Sequence, residues 1–217
     1  MAGNRDEFHA RPSAALTRWD DAPHILGGRD LQSGGTWLGV SEHGRFAVVT
    51  NIAGNRVPDP EKTSRGQLVV DVLAGAPLPD DPDGFNAFNL FAAGRDGAHL
   101  LTNRPAPAAR PLAPGIHSLS NGIIGAPWPR RERLEAGLAA WLAGSDDGAE
   151  ALFALLADES ETQEPVHPPV FIRAPAYGTR ASTVVIVDAD GAGRIIERRF
   201  GPDGIALGET ALDFHWP

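Results

Sequence analysis

The sequence predicts an α+β fold built on antiparallel sheets, and three observations lead there. Short apolar runs follow one another through turn-forming residues, which makes hairpins rather than helical crossovers. The helical periodicities fall between two β-rich stretches, so strands and helices do not alternate. The 217 residues, 42% of them apolar and 22% charged, suffice for one domain with a real core, expected to span 1–217.

The first 34 residues are polar and turn-rich, with Gly27-Gly28 and Gly34-Gly35 as punctuation. Residues 36–40 and 45–50 then read as two short strands around Glu42-His43-Gly44. A Pro/Asp-rich loop precedes a helix at 65–74, with Ser64 as N-cap, Gln67 completing a capping box and Gly75 as the stop. Its apolar face is Leu68, Val72 and Leu73. Residues 86–93 and 98–103 form a second pair around Gly94-Arg95-Asp96-Gly97, and 110–114 with 115–120 suggests a third. A helix over 129–143 carries Leu134, Leu138, Trp141 and Leu142 on one face. Another over 148–157 is capped by Asp147 and turns Leu152, Leu155 and Leu156 inward. An acidic, Pro-rich loop covers 159–169. The chain then returns to β structure at 182–187, 194–200 and 205–212.

Composition narrows function. A net charge of -9 offers no basic excess for phosphates, which argues against general nucleic-acid binding. No apolar run approaches the roughly 18 residues of a bilayer crossing, and no secretory leader is visible at the N-terminus; the expectation is a cytoplasmic protein without a membrane span. With no cysteine among 217 residues, thiolate chemistry is excluded for this chain. The seven histidines are scattered without metal-ligand spacing, so no metal site is expected.

What remains are polar segments at strand ends. They are Asn4-Arg5-Asp6-Glu7, Gly35-Thr36-Trp37-Leu38-Gly39, Thr50-Asn51, Ser120-Asn121-Gly122 and Tyr177-Gly178-Thr179-Arg180-Ala181-Ser182-Thr183. The first reads equally as a solvated terminus or as part of a site. An Asn at a strand exit is ordinarily a turn former. Two of them, with an Arg entering a buried strand, also supply amide donors and a fixed cation for a carbonyl or carboxylate. A third reading makes Arg5, Asp6 and Arg180 a structural ion-pair network.

Taken in order with Ser64-Arg65-Gly66, these blocks resemble the NRDE family, that of transport and Golgi organisation protein 2. The resemblance covers essentially the whole chain. It implies an Ntn-hydrolase-like αββα sandwich, two antiparallel sheets between helical layers, in which an N-terminal nucleophile attacks an amide using its own α-amine as base. By position in that superfamily, Arg5, Asp6, Asn51, Asn121 and Arg180 take catalytic roles; Arg5, Trp37, Asn51, Asn121 and Arg180 take ligand-binding roles. Family members begin with Met-Cys and an apolar strand ahead of the signature, whereas this chain starts three residues before it. The expectation is a chain truncated relative to the family, with the first strand missing and no N-terminal Cys, Ser or Thr. The competing explanations are a misplaced start, a natural non-catalytic variant, or internal cleavage exposing Thr36. The resemblance therefore implies a protein that binds or traffics a small haem- or lipid-type ligand, with haem possible as cofactor. The alternative is an amidohydrolase acting on N-acyl amides, its nucleophile absent from this chain.

Overall fold

The computed structural model describes residues 1–53, 58–95, 97–126, 128–144, 148–160 and 168–217. The elements run β1 (Ala2–Phe8), β2 (Ser13–Arg18), β3 (Ile25–Asp30), β4 (Leu38–Ser41) and β5 (Arg45–Asn51), then helix α1 (Arg65–Ala74). They continue with β6 (Phe88–Gly94), β7 (Gly97–Thr102), β8 (Ala108–Leu112), α2 (Pro129–Ala143), α3 (Ala149–Leu156), β9 (Tyr177–Val187), β10 (Ala192–Phe200) and β11 (Ala206–His215). The contacts gather into two compact units. One is drawn from Met1–Pro12, Ile116–Ser118 and Pro127–Asp213; the other from Ser13–Gly115, Leu119–Ala126 and Phe214–Pro217.

The second unit holds a seven-stranded sheet in simple chain order, β2 to β8, every pairing antiparallel. Each strand returns beside its predecessor, through hairpins or loops everywhere except between β5 and β6, where the connection carries α1. One face is sealed by α1, whose Leu68, Val69 and Leu73 pack with Trp19, Ile25, Ala47, Phe88, Leu90 and Leu101. The helix occupies the predicted span, and Gly75 ends it at φ 91, a left-handed conformation that glycine adopts without a Cβ clash. The capping box is not formed. Ser64 makes no side-chain cap, and the Gln67 amide donates instead to Asp71 one turn along, at 2.8 Å.

The first unit holds a four-stranded antiparallel sheet in the order β1-β9-β10-β11. Helices α2 and α3 cover one face of it. Leu152, Phe153 and Leu156 of α3 pack on Val184, and Leu134, Leu138 and Trp141 of α2 join with Ala2, Ile186 and Ile196.

Several expectations are corrected. The first 34 residues are not a turn-rich lead-in but hold three strands, and Leu16, Trp19, Ile25 and Leu26 are all buried. The strand partner of 110–114 is β7, and residues 115–120 form no strand. Leu142 leaves the helical face assigned to it and is 60% exposed, since α2 ends one residue later. Gly148 stands at the N-cap of α3; Asp147, expected there, lies outside the described residues, as do Asp96 of the second hairpin turn and most of the acidic loop.

Candidate functional site

In the first unit, β1 alternates its side chains between two faces. Asn4 and Asp6 share the helix-covered face. The Asn4 amide donates to the Leu156 and Val170 carbonyls at 2.8 and 2.9 Å, and its oxygen accepts from the Ser182 hydroxyl at 2.7 Å. Asp6 meets Arg130 of α2 at 3.0 Å, with side-chain exposures of 9% and 11% respectively. Its other oxygen accepts from the Thr179 hydroxyl at 2.8 Å, and that hydroxyl accepts from the Ile172 amide at 2.9 Å. Burial pushes the Asp6 carboxyl up, an effect only partly offset by the Arg130 charge and by hydrogen bonds from Thr179 and Arg130. The Tyr177 hydroxyl donates to the Asp6 carbonyl; burial, then the charges of Asp6 and Glu7, push it up to about 12.

Arg180 sits in a β-bulge. Arg5 pairs with Ala181 and Asp6 with Thr179, so Arg180 is the extra residue on β9. Its guanidinium donates to the Phe8 carbonyl at 3.3 Å and to the Arg11 carbonyl, clasping the turn that ends β1. Arg5, between Asn4 and Asp6, belongs to the opposite face of the sheet. Buried there are Ala181, Thr183, Val185, Ile195 and Glu197. Arg199 shares that face, because it also pairs with Ala181. The structure thus separates Arg5 from Asp6, which the signature places side by side.

In the second unit, Asn51 ends β5 in an exposed position, and its carbonyl accepts from the Asn121 amide at 3.0 Å. The Asn121 carbonyl accepts from the Ala53 amide. The Thr50 hydroxyl donates to the Ser120 carbonyl at 2.9 Å, and the Asn89 amide to the Gly122 carbonyl at 2.9 Å. Asn51 and Asn121 therefore come together, and the segment around Ser120 is stitched to the ends of β5 and β6. Asn89 is 1% exposed, and its side-chain oxygen has no hydrogen-bond partner among the described residues. Trp37, half-buried before β4, lays its ring against Gly28, where a Cβ would stand 2.4 Å from the indole.

Sequence reasoning missed Asn4, Arg130, Thr179, Asn89 and Arg199 as partners. Alternation along 2–8 was the available signal for Asn4 and Asp6 sharing a face; nothing in the sequence announced that Arg130 of a distant helix completes it. Among the described residues no group of three or more metal-ligating side chains converges, and no helix is long and apolar enough to cross a membrane.

The sequence profile of Transport and Golgi organisation 2 matches residues 1–202. The chain belongs to that family. A Transport and Golgi organization protein 2 homolog from Bos taurus is 33% identical over 252 aligned positions, covering 99% of this chain and 91% of the relative. The Homo sapiens homolog is 32% identical, covering 97% and 89%; the Drosophila melanogaster family member is 28% identical, covering 91% and 84%. Among solved structures, the Caenorhabditis elegans ortholog of N-acylethanolamine-hydrolyzing acid amidase superposes with a TM-score of 0.52 at 14% identity, covering 84% of this chain and 85% of that one. Penicillin V acylase from Agrobacterium tumefaciens gives 0.51 at 10% identity, covering 99% and 81%. This family member has an Ntn-hydrolase-like fold, with two antiparallel sheets and three helices among the described residues.

Proposed function

We propose that this family member binds a small amphipathic ligand bearing a carboxylate, of lipid or haem type, with Arg5 as the anchoring cation. The observation that carries this reading is the division of labour on β1 and β9. Asp6 is engaged with Arg130 and Thr179 on the helix-covered face, and Arg180 with backbone carbonyls, so both serve the fold. Arg5 instead belongs to the opposite face, which carries Ala181, Thr183, Val185 and the buried Glu197. That combination suits a carboxylate on an apolar body. The carboxylate arises equally from a fatty acyl chain or from a porphyrin propionate, and haem enters here as cargo.

The test is calorimetric titration with dodecanoate and with haemin, on the wild type and on Arg5→Ala. Saturable binding weakened about tenfold or more by the substitution is expected, since a charged hydrogen bond contributes about 1.5–3 kcal/mol. Binding indifferent to Arg5→Ala removes the anchor, and no binding of either compound removes the reading.

A second reading draws on the fold it shares with an amidase and an acylase. It is hydrolysis of an N-acyl amide, with Asn51 and Asn121, which share a hydrogen bond, near the oxyanion. That reading requires an N-terminal nucleophile. Incubation with an N-acylethanolamine, followed by mass-spectrometric detection of the free acid, decides between hydrolysis and binding alone.

A further inference from the structure

We infer that Asn89 reads the N–H of a secondary-amide ligand, its side-chain oxygen accepting that hydrogen bond. This deepens the amide reading and rests on it. The strand register sets Asn89 of β6 directly across from Thr50 of β5 and Thr102 of β7. Residues directly opposite share a face. It is the face away from α1, because Ala47, Phe88, Leu90 and Leu101 are the residues of these strands that pack with that helix. The next row on the same face, Val48, Phe91 and Leu100, is apolar throughout. A polar row beside an apolar one suits an amide carried on an acyl chain.

Asn89 is 1% exposed, and the two ends of its amide are in different positions. The nitrogen donates to the Gly122 carbonyl at 2.9 Å and lies 3.4 Å from both the Ser120 carbonyl and the Thr50 hydroxyl. The oxygen has no partner among the described residues. Turning the side chain over does not relieve this, since the oxygen would then face two carbonyls and the N–H donors would lose theirs. Nor do the neighbours on the sheet relieve it, because a hydroxyl has a single proton. That of Thr50 goes to the Ser120 carbonyl at 2.9 Å; that of Thr102 is directed at the Phe88 and Arg104 carbonyls, at 3.0 and 3.2 Å. A buried acceptor left unpaired is costly, and here its donor has to come from outside the sheet. An ester or a carboxylate brings no donor, whereas a secondary amide brings one N–H. The segment that moves to admit it is Ser120-Asn121-Gly122. Thr50 and Asn89 donate to its carbonyls, and Asn121 donates to the Asn51 carbonyl at 3.0 Å. These three residues carry no apolar side chain, and Ile123 beyond them is 45% exposed. Lifting them therefore exchanges hydrogen bonds with water rather than exposing apolar area.

The experiment measures calorimetric Kd values on the wild type, Asn89→Ala, Asn89→Val and Thr50→Val for three compounds. These are N-dodecanoylethanolamine, its N-methyl analogue and the ester 2-hydroxyethyl dodecanoate; only the first has an amide N–H. The wild type is expected to bind it about tenfold or more tighter than either analogue, the range of one buried acceptor left unpaired. Both Asn89 variants delete the acceptor and bring that ratio to about one; Asn89→Val, which suits a strand, carries the test if Asn89→Ala does not fold. Thr50→Val removes a hydrogen bond to the segment but leaves the oxygen, so the ratio is expected to persist. If Thr50→Val abolishes the ratio as well, order in the segment does the selecting and the inference is overturned. Equal affinities in the wild type mean that water satisfies the oxygen or that nothing reaches it, and a ratio retained in both Asn89 variants means that the N–H is read elsewhere; either overturns the inference. Release of dodecanoate, followed in the same samples, keeps the two readings apart. Hydrolysis without discrimination leaves the amide reading standing and removes Asn89 from it. Discrimination lost with Asn89, without hydrolysis, supports the inference and removes the chemistry. If none of the three compounds binds, both fall.

Discussion

Asp6 shows how one residue of the signature can be conscripted by the fold. Its carboxylate is buried beside Arg130, and burial outweighs the attraction, so its folded-state pKa lies above the ordinary value of 3.8. The sign of the linkage follows. Between the unfolded pKa and the raised folded pKa the native state binds more protons than the unfolded chain, so this residue's contribution falls as pH rises through that window. Asp6→Asn, which resembles the protonated acid and still offers one oxygen to Arg130, removes that titration. The advantage of wild type over Asp6→Asn should therefore be largest near pH 4 and shrink toward neutral pH in urea denaturation; an advantage that grows with pH would refute the assignment. Asp6→Ala is a different lesion. It deletes both acceptors and leaves the Arg130 guanidinium buried without its carboxylate, a loss of about 3–5 kcal/mol. The ordering Ala worse than Asn at every pH is part of the same expectation.

At the scale of elements, the tightest approach to backbone lies where Gly35 meets the first turn of α1. A Cβ on Gly35 would stand 2.5 Å from the Gly66 carbonyl carbon and 2.7 Å from its oxygen, both backbone atoms that cannot swing aside. A Cβ on Gly66 would meet Thr36 backbone atoms at 3.1 Å, a crowding that small shifts relieve. Gly35→Ala should thus cost about 1–3 kcal/mol by overpacking, and Gly66→Ala clearly less, as read from denaturation midpoints. Equal costs would mean that the helix moves freely against the sheet. This contact also marks what the sequence made legible. The span 65–74 emerged from its apolar spacing and terminal glycine, and the hairpins of β4–β5, β6–β7 and β9–β10 from short apolar runs bounded by turn residues. Strands β1 and β3 were hidden for a physical reason. In β1 the polar side chains of Asn4 and Asp6 face the helices and find their partners on other elements, and β3 runs through Gly27-Gly28, against which other chain atoms press. Local pattern cannot show partners that tertiary structure supplies. The same limit applies to the candidate site: the family blocks pointed to Arg5, Asp6 and Arg180, but their separation into a face, an ion pair and a bulge clasp depends on register.

For the whole molecule, the relevant quantity is the net charge of -9, set against a ligand that is itself an anion. At about 20 Å, nine charges in water repel a monoanion by about 2 kcal/mol before screening. With a Debye length of about 30 Å at 0.01 M salt roughly half of this survives, whereas at 0.15 M and about 8 Å almost none does. The difference, about 0.8 kcal/mol, corresponds to about a fourfold slower approach at low salt. The attraction of Arg5 acts at short range, and a cation in contact with its ligand is screened much less than the approach to it. Association of dodecanoate, followed by stopped-flow tryptophan fluorescence, should therefore accelerate about fourfold from 0.01 to 0.15 M salt, while dissociation changes little. The opposite trend would mean that a local positive field governs the encounter, because steering by arginines weakens as salt rises. The sign of the salt dependence thus separates the pull of the anchoring cation from the repulsion of the molecule that carries it.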